Sequence, residues 1–175
     1  MSETTRMSGT TRTLGLDVGE RRIGVAIAEE AGGARPLTTL RRDRDAAVDA
    51  AALLALIATH AIDSLVVGLP LEAAGQEGAQ AARTRAWVED IRARIGDHMR
   101  ITFQDERLSS HLAEQRLGPM PRGRSGGPPS RHQRDAYRAR VDREAAAIIL
   151  QDAIDGRAAA GTAQFPKSTT TESRR

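Results

Sequence analysis

Three acidic residues far apart in the chain, Asp17, Glu106 and Asp142, stand where a carboxylate needs a reason. Asp17 lies in Leu14-Gly15-Leu16-Asp17-Val18-Gly19, where apolar residues alternate with others in the period of a half-buried strand. An ionised Asp in such a strand is costly to bury without a partner or a metal. An Asp can also close a turn through its own backbone, and on this stretch alone both readings stand. Asp142 opens an apolar helical run, where a carboxylate can serve simply as an N-cap or dipole partner worth about 0.3–1 kcal/mol. Glu106 follows the strand-like Met99-Arg100-Ile101-Thr102-Phe103-Gln104 beside Asp105, and alternation lets only one of these two acids point into a given site. Taken together, the three carboxylates would repel one another and retain protons unless cations were present. Two divalent ions about 4 Å apart resolve that repulsion and can clamp the attacking and leaving oxygens of a phosphodiester.

Composition narrows the metal and the partner. Cysteine is absent, which excludes disulfides, thiolate zinc sites and a cysteine nucleophile, and His60, His98, His111 and His132 are scattered. Any ion must be held by oxygen, which favours Mg²⁺ or Mn²⁺. The net charge is only +3, but positions 107–143 hold nine arginines (Arg107, Arg116, Arg122, Arg124, Arg131, Arg134, Arg138, Arg140 and Arg143) against Glu114, Asp135 and Asp142. Such a block is either a solvated basic face or a polyanion-binding surface, and guanidinium groups match phosphate oxygens in geometry. No apolar run approaches the roughly 20 residues of a membrane span. The polar first twelve residues contain no hydrophobic block of a signal peptide, so a cytoplasmic location without membrane association is expected.

The elements that must position these acids can be read in order. Residues 1–12 and 156–175 are expected to be disordered tails around one domain at 13–155. A hairpin over 13–28, with Gly19 and Gly24 around its turn, leads to a third strand at 36–40, giving three successive antiparallel strands. A helix is predicted over 43–61, with Ala47, Ala50, Leu54, Ile57 and Ala61 on its apolar side and Asp43 and Asp45 at its N-terminus. Ser64-Leu65-Val66-Val67-Gly68-Leu69 reads as a central strand covered on both faces, stopped by Pro70, and 71–78 as a mobile loop. A second helix over 79–95 places Trp87, Val88, Ile91 and Ile95 in the core, with Gly96 as its C-cap. After the strand at 99–104, a short helix over 109–117 ends at Gly118 and Pro119, and 118–130 is a flexible loop. The last helix, 141–154, puts Asp142, Ala145, Ala146 and Ile149 on one packed face with Asp142 in its first turn.

A strand, Asp-x-Gly, strand opening is shared by RNase H-like nucleases and by actin-like or sugar-kinase ATPases. The latter need two such domains facing across a nucleotide, and 175 residues hold one domain of ordinary size. Leu16-Asp17-Val18-Gly19 with Arg22-Ile23-Gly24-Val25-Ala26, Val67-Gly68-Leu69-Pro70-Leu71, Asp105-Glu106-Arg107-Leu108-Ser109, and Val141-Asp142 with Ala145-Ala146-Ala147-Ile148-Ile149-Leu150 occur in this order. Together they resemble the YqgF/RuvX family, whose members are described as Holliday junction resolvases and as pre-16S rRNA nucleases. The resemblance implies an α/β, RNase H-like fold with a five-stranded mixed sheet, its first three strands antiparallel, flanked by helices. It implies that Asp17, Glu106 and Asp142 are the catalytic, metal-binding acids, holding two Mg²⁺ or Mn²⁺ ions, and that Asp105 supports them. The expected activity is hydrolysis of structured nucleic acid, in pre-16S rRNA 5′-end processing or on branched DNA, with a non-catalytic ribosome maturation factor as the competing class. Arg21, Arg22, Arg107, Arg122, Arg124, Arg131, Arg134, Arg138 and Arg140 are the expected backbone contacts, in a monomer or homodimer. Glu72 departs from the Asn that family members often carry after Leu-Pro-Leu, and the 118–130 loop is longer than the family pattern.

Overall fold

The structure, a computed structural model, describes residues 11–29, 32–72, 75–123 and 126–162. Arg124, residues 1–10 and residues 163–175 lie outside these. The described chain forms β1 (Arg12–Val18), β2 (Arg22–Glu29), β3 (Arg35–Arg41), α1 (Ala46–His60), β4 (Ser64–Leu69), α2 (Ala79–Ile95), β5 (Arg100–Asp105), α3 (Ser109–Leu117) and α4 (Arg131–Thr162). The five strands make one sheet in the order β3-β2-β1-β4-β5. β1 to β3 are antiparallel neighbours, while β4 and β5 run parallel to β1. This is the mixed α/β sheet expected of the sequence. Among the described residues no helix is long and apolar enough to cross a membrane.

Strand parity divides the interior in two. Leu14, Leu16, Val18, Ile23, Val25, Ile27, Leu65 and Val67 face α1 and α2, where Leu53, Trp87, Val88 and Ile91 complete a core. Ala26, Ala28 and Val66 face the other way, against Ala146, Ile149, Leu150 and Ala153 of α4. A third cluster, Ala113 with Tyr137, Val141, Ala145 and Ile148, fastens α3 to α4.

Small residues decide how closely α4 approaches the sheet. A Cβ on Gly15 would stand 2.6 Å from Leu150 Cβ and 2.7 Å from the Ala146 carbonyl oxygen. One on Gly24 would overlap the Asp142 carbonyl and lie 2.9 Å from Arg143 N. Glycine is required at both positions because the helix backbone lies directly on the strands.

Two expectations are corrected. The last helix starts at Arg131 rather than 141 and runs beyond Gly156 to Thr162, so Asp142 lies well inside it and not in the first turn. Its start is fixed by a reciprocal cap, in which Gln133 N–H donates to Ser130 Oγ at 3.2 Å and Ser130 N–H donates to Gln133 Oε1 at 2.8 Å. The buried face of α1 is also displaced: Asp49, Ala50 and Leu53 are inside, whereas Leu54 is exposed. Burial of Asp49 is possible because its carboxylate accepts the Trp87 indole N–H at 2.9 Å and Asp43 N–H at 2.9 Å.

Candidate active site

β1 delivers Asp17 to the α4 side of the sheet, on the same face as Gly15, near the strand's C-terminal end. In the β1–β2 register Asp17 pairs with Gly24, and Gly24 is the residue pressed against the Asp142 backbone. The close approach of α4 to β2 therefore brings Asp142 to Asp17, although the two are distant in sequence. Glu106 follows β5, which is parallel to β4, and its carboxylate folds over Gly68 of β4. A Cβ on Gly68 would overlap a Glu106 carboxylate oxygen and stand 3.0 Å from its Cδ, so glycine is what leaves room for the acid. Glu106 and not Asp105 is the acid aimed at Asp17. Asp105 instead receives Arg107, through its backbone N–H at 3.0 Å and its Nε at 2.8 Å.

The electrostatics follow from that packing. Burial, then the nearby Asp142 charge, pushes Asp17 up from 3.8 to about 7. Burial, then Asp17, then Asp105, pushes Glu106 up from 4.5 to about 8. Burial also works to raise Asp105, but the side-chain and backbone hydrogen bonds of Arg107 outweigh it and hold that carboxyl below its ordinary range. Asp142 is ion-paired to Arg22 Nε. Glu106 Oε2 is buried without a hydrogen-bond partner among the described residues. A buried carboxylate oxygen with no donor is an unmet demand for positive charge.

The donors suit a hard divalent cation, since all are carboxylate oxygens and one of them is buried without a partner. Asp17 and Glu106 are the residues that could hold it, with Asp142 available once Arg22 moves aside. Among the described residues no three acidic or histidine side chains are already close enough to share one ion.

The expected basic residues divide into groups. Arg22 lies in the acidic centre, on Asp142, and Arg107 is engaged with Asp105. Arg131 pairs at 3.9 Å with Asp135, and Arg134 donates to the Pro129 carbonyl at 2.5 Å. Arg122, Arg138 and Arg140 are exposed. Arg134, Arg138 and Asp142 succeed one another at four-residue spacing, so the arginines form a stripe along α4 that leads to the acid. Glu72 is turned back on Gly78 at the start of α2. Sequence reasoning placed Gly68 in a motif without its role in making room for Glu106, and missed the Arg22–Asp142 pair. It also passed over Arg41-Arg42-Asp43-Arg44, whose density of arginine was a visible signal.

The sheet order, the helix laid over one face and the acids gathered at the ends of β1 and β5 define an RNase H-like α/β domain with an acidic centre. The chain belongs to the family described as RuvX: Holliday junction resolvase, which it matches over residues 11–156. It is 43% identical over 148 residues to a protein of Anaeromyxobacter sp. (strain Fw109-5) named "Putative pre-16S rRNA nuclease", covering 83% of this chain and 98% of the relative. A protein of the same name from Roseiflexus sp. (strain RS-1) is 39% identical over 146 residues, covering 82% of this chain and 94% of the relative. Among solved structures, Thermus thermophilus RuvC in complex with a Holliday junction substrate aligns with TM-score 0.46 and 15% identity, over 85% of this chain and 96% of that one.

Proposed function

We propose that this protein is a metal-dependent nuclease that hydrolyses phosphodiester bonds of structured nucleic acid, with the 5′ end of pre-16S rRNA as its substrate. Asp17, Glu106 and Asp142 are the acids that carry the reaction. The observation that supports this most strongly is the unpartnered, buried Oε2 of Glu106 beside a second buried carboxylate. A site built for structure alone would leave neither acid in that state, because each is destabilising as an anion. The choice of RNA rests on the names of the relatives.

Asp17 and Glu106 would hold Mg²⁺ or Mn²⁺ through oxygen. Bound divalent ions supply the positive charge that activates water and stabilises the oxygen that departs. Gly68 leaves the room over β4 that the Glu106 carboxylate occupies, so the acid is in place before substrate arrives. Arg22 neutralises Asp142 in the resting protein, and opening that pair frees both the carboxylate and a guanidinium able to bind phosphate. Arg134 and Arg138 lie along the approach to Asp142 and seat the backbone.

The test is the Asp17→Asn protein, assayed on a 5′-extended 16S precursor RNA and on a four-way DNA junction with Mg²⁺, Mn²⁺ or EDTA. Wild type should cut the RNA only with a divalent ion, and the variant should bind it without cutting. Cleavage at the wild-type rate by Asp17→Asn removes the assignment. Cleavage of the junction but not the RNA moves the substrate to branched DNA, as the family's description suggests. Binding without cleavage by wild type under every condition leaves a maturation factor.

A further inference from the structure

A cleft of about 580 Å³ outside the acidic centre is lined by Glu20, Arg21, Arg41, Arg42, Asp43 and Arg44. It lies at the β1–β2 turn, the segment that immediately follows Asp17, where the end of β3 meets the approach to α1. Four arginines thus face two acids there, and each acid has a partner outside the cleft. Glu20 faces Arg83 at 3.5 Å, and the Asp43 carboxylate accepts Asp45 N–H at 3.0 Å. Arg21, Arg41 and Arg44 are exposed, and among the described residues none of them is in an ion pair.

Arg42 is held in a different way. Its N–H donates to the Arg21 carbonyl at 3.0 Å, and Nη1 donates to the Gly19 carbonyl at 2.8 Å. The guanidinium also lies 5.9 Å from the centroid of the Trp87 ring. Arg42 therefore locks the turn, and the other three arginines line the open cleft. Arg41 is moreover the register partner of Arg22, which carries the positive charge into the acidic centre. The cleft therefore lies, across the β2–β3 pair, beside the strand end that carries Arg22.

We propose that this cleft binds a backbone phosphate of the nucleic acid, flanking the bond to be cut. The proposal rests on the nuclease reading above. The acidic centre repels a polyanion, so attraction must come from outside it, and three arginines with no carboxylate partner suit phosphate oxygens. Arg134 and Arg138 on α4 provide a comparable surface from a different element.

The test uses the full chain in EDTA, so that binding is read without cleavage. A fluorescently labelled RNA hairpin is titrated at several salt concentrations, and Trp87, the only tryptophan, reports on Arg42 through its intrinsic fluorescence. The double variant Arg41→Gln with Arg44→Gln should weaken binding and flatten the slope of log affinity against log salt by ~1–2, at roughly one unit for each phosphate that is no longer neutralised. Between 50 and 200 mM salt, the fall in affinity of wild type should then exceed that of the variant by about fourfold to sixteenfold. Arg94→Gln, on the far end of α2, should leave the slope unchanged.

A wild-type slope in the double variant, with its thermal stability intact, overturns the proposal and leaves the nuclease reading standing. A response of Trp87 to inorganic phosphate but not to RNA assigns the cleft to a free anion and also overturns it. Should wild type bind the RNA without cleaving it under every condition while the double variant shows the flattened slope, the nuclease reading falls and the cleft stands.

Discussion

Gly68→Ala is the substitution that isolates the acidic centre from the rest of the fold. The added Cβ would overlap a carboxylate oxygen of Glu106, approach its Cδ to 3.0 Å and meet Ile149 Cδ1 at 2.7 Å. All of these atoms are the ends of flexible side chains, so the strand can stay in place and the side chains must move. Bringing the Glu106 oxygen to an ordinary van der Waals separation requires a displacement on the order of 1 Å, and misplacement of that size in a catalytic site costs about 10²-fold in rate. Overpacking by one methyl costs about 1–3 kcal/mol. At ~2–4 °C per kcal/mol for a domain of this size, the melting temperature should fall by about 2–12 °C. Cleavage rate, Mn²⁺ affinity by calorimetry, and melting temperature should be measured on wild type, Gly68→Ala and Glu106→Gln. The expected pattern is a cleavage defect in Gly68→Ala approaching that of Glu106→Gln, with weaker metal binding and a folded protein. A folded Gly68→Ala that cleaves at the wild-type rate would refute the placement of Glu106 in the reaction.

Gly24→Ala should behave differently, because its Cβ would meet the helix backbone at Asp142 and Arg143. It should lower stability by about 3 kcal/mol or more, at the upper end of overpacking, in a urea titration, and an unchanged midpoint would contradict the close packing of α4. The metal-free protein should lose stability as pH rises. Asp17 and Glu106 ionise near 3.8 and 4.5 when unfolded but at about 7 and about 8 when folded, so the native state binds more protons throughout that window. The loss should run from about pH 4 to 8 and amount to roughly 4 kcal/mol for Asp17 alone, at ~1.4 kcal/mol per pKa step. Added Mg²⁺ should recover more stability at pH 8 than at pH 5, and denaturant midpoints at the two pH values with and without the ion check this.

Much of the fold was legible because strand parity and helix periodicity are local signals. Leu14, Leu16 and Val18 lie on one side of β1 and Gly15 and Asp17 on the other, as alternation requires. Trp87, Val88, Ile91 and Ile95 are buried together on α2, and Gly96 caps it with a positive φ. The start of α4 was not legible from apolar spacing, because residues 131–136 carry no hydrophobic stripe. Tyr137 and Val141 turn toward α3 only in the folded protein. Ser130 and Gln133 did carry a capping signal, which the density of Gly, Pro and Arg before it obscured. On α1, Asp49 interrupts what hydrophobicity alone would place inside, and only the Trp87 indole, distant in sequence, explains its burial. The acids themselves were visible as residues that did not fit their elements. That they meet was expected from the family resemblance, whereas the packing that brings them together was not legible, because it depends on how closely α4 sits on β2 and on the space above Gly68.

The same glycines that let the fold close are the ones that create its electrostatic tension. Without a side chain at Gly24, α4 descends until Asp142 raises the pKa of Asp17. Without one at Gly68, Glu106 lies over the sheet instead of turning out to water. Both arrangements increase burial of like charges, which opposes folding. Arg22 compensates one carboxylate of the three. Asp17 and Glu106, pushed up to about 7 and about 8, have no ion pair among the described residues and hold protons near neutral pH in the absence of cations. Under the proposed function, positive surface would attract the phosphate chain, and the two acids would take cations where that chain passes. The placement of these groups is therefore a property of where glycine and arginine fall in β2, β4 and α4, and retained protons are what make the buried acids tolerable without cations.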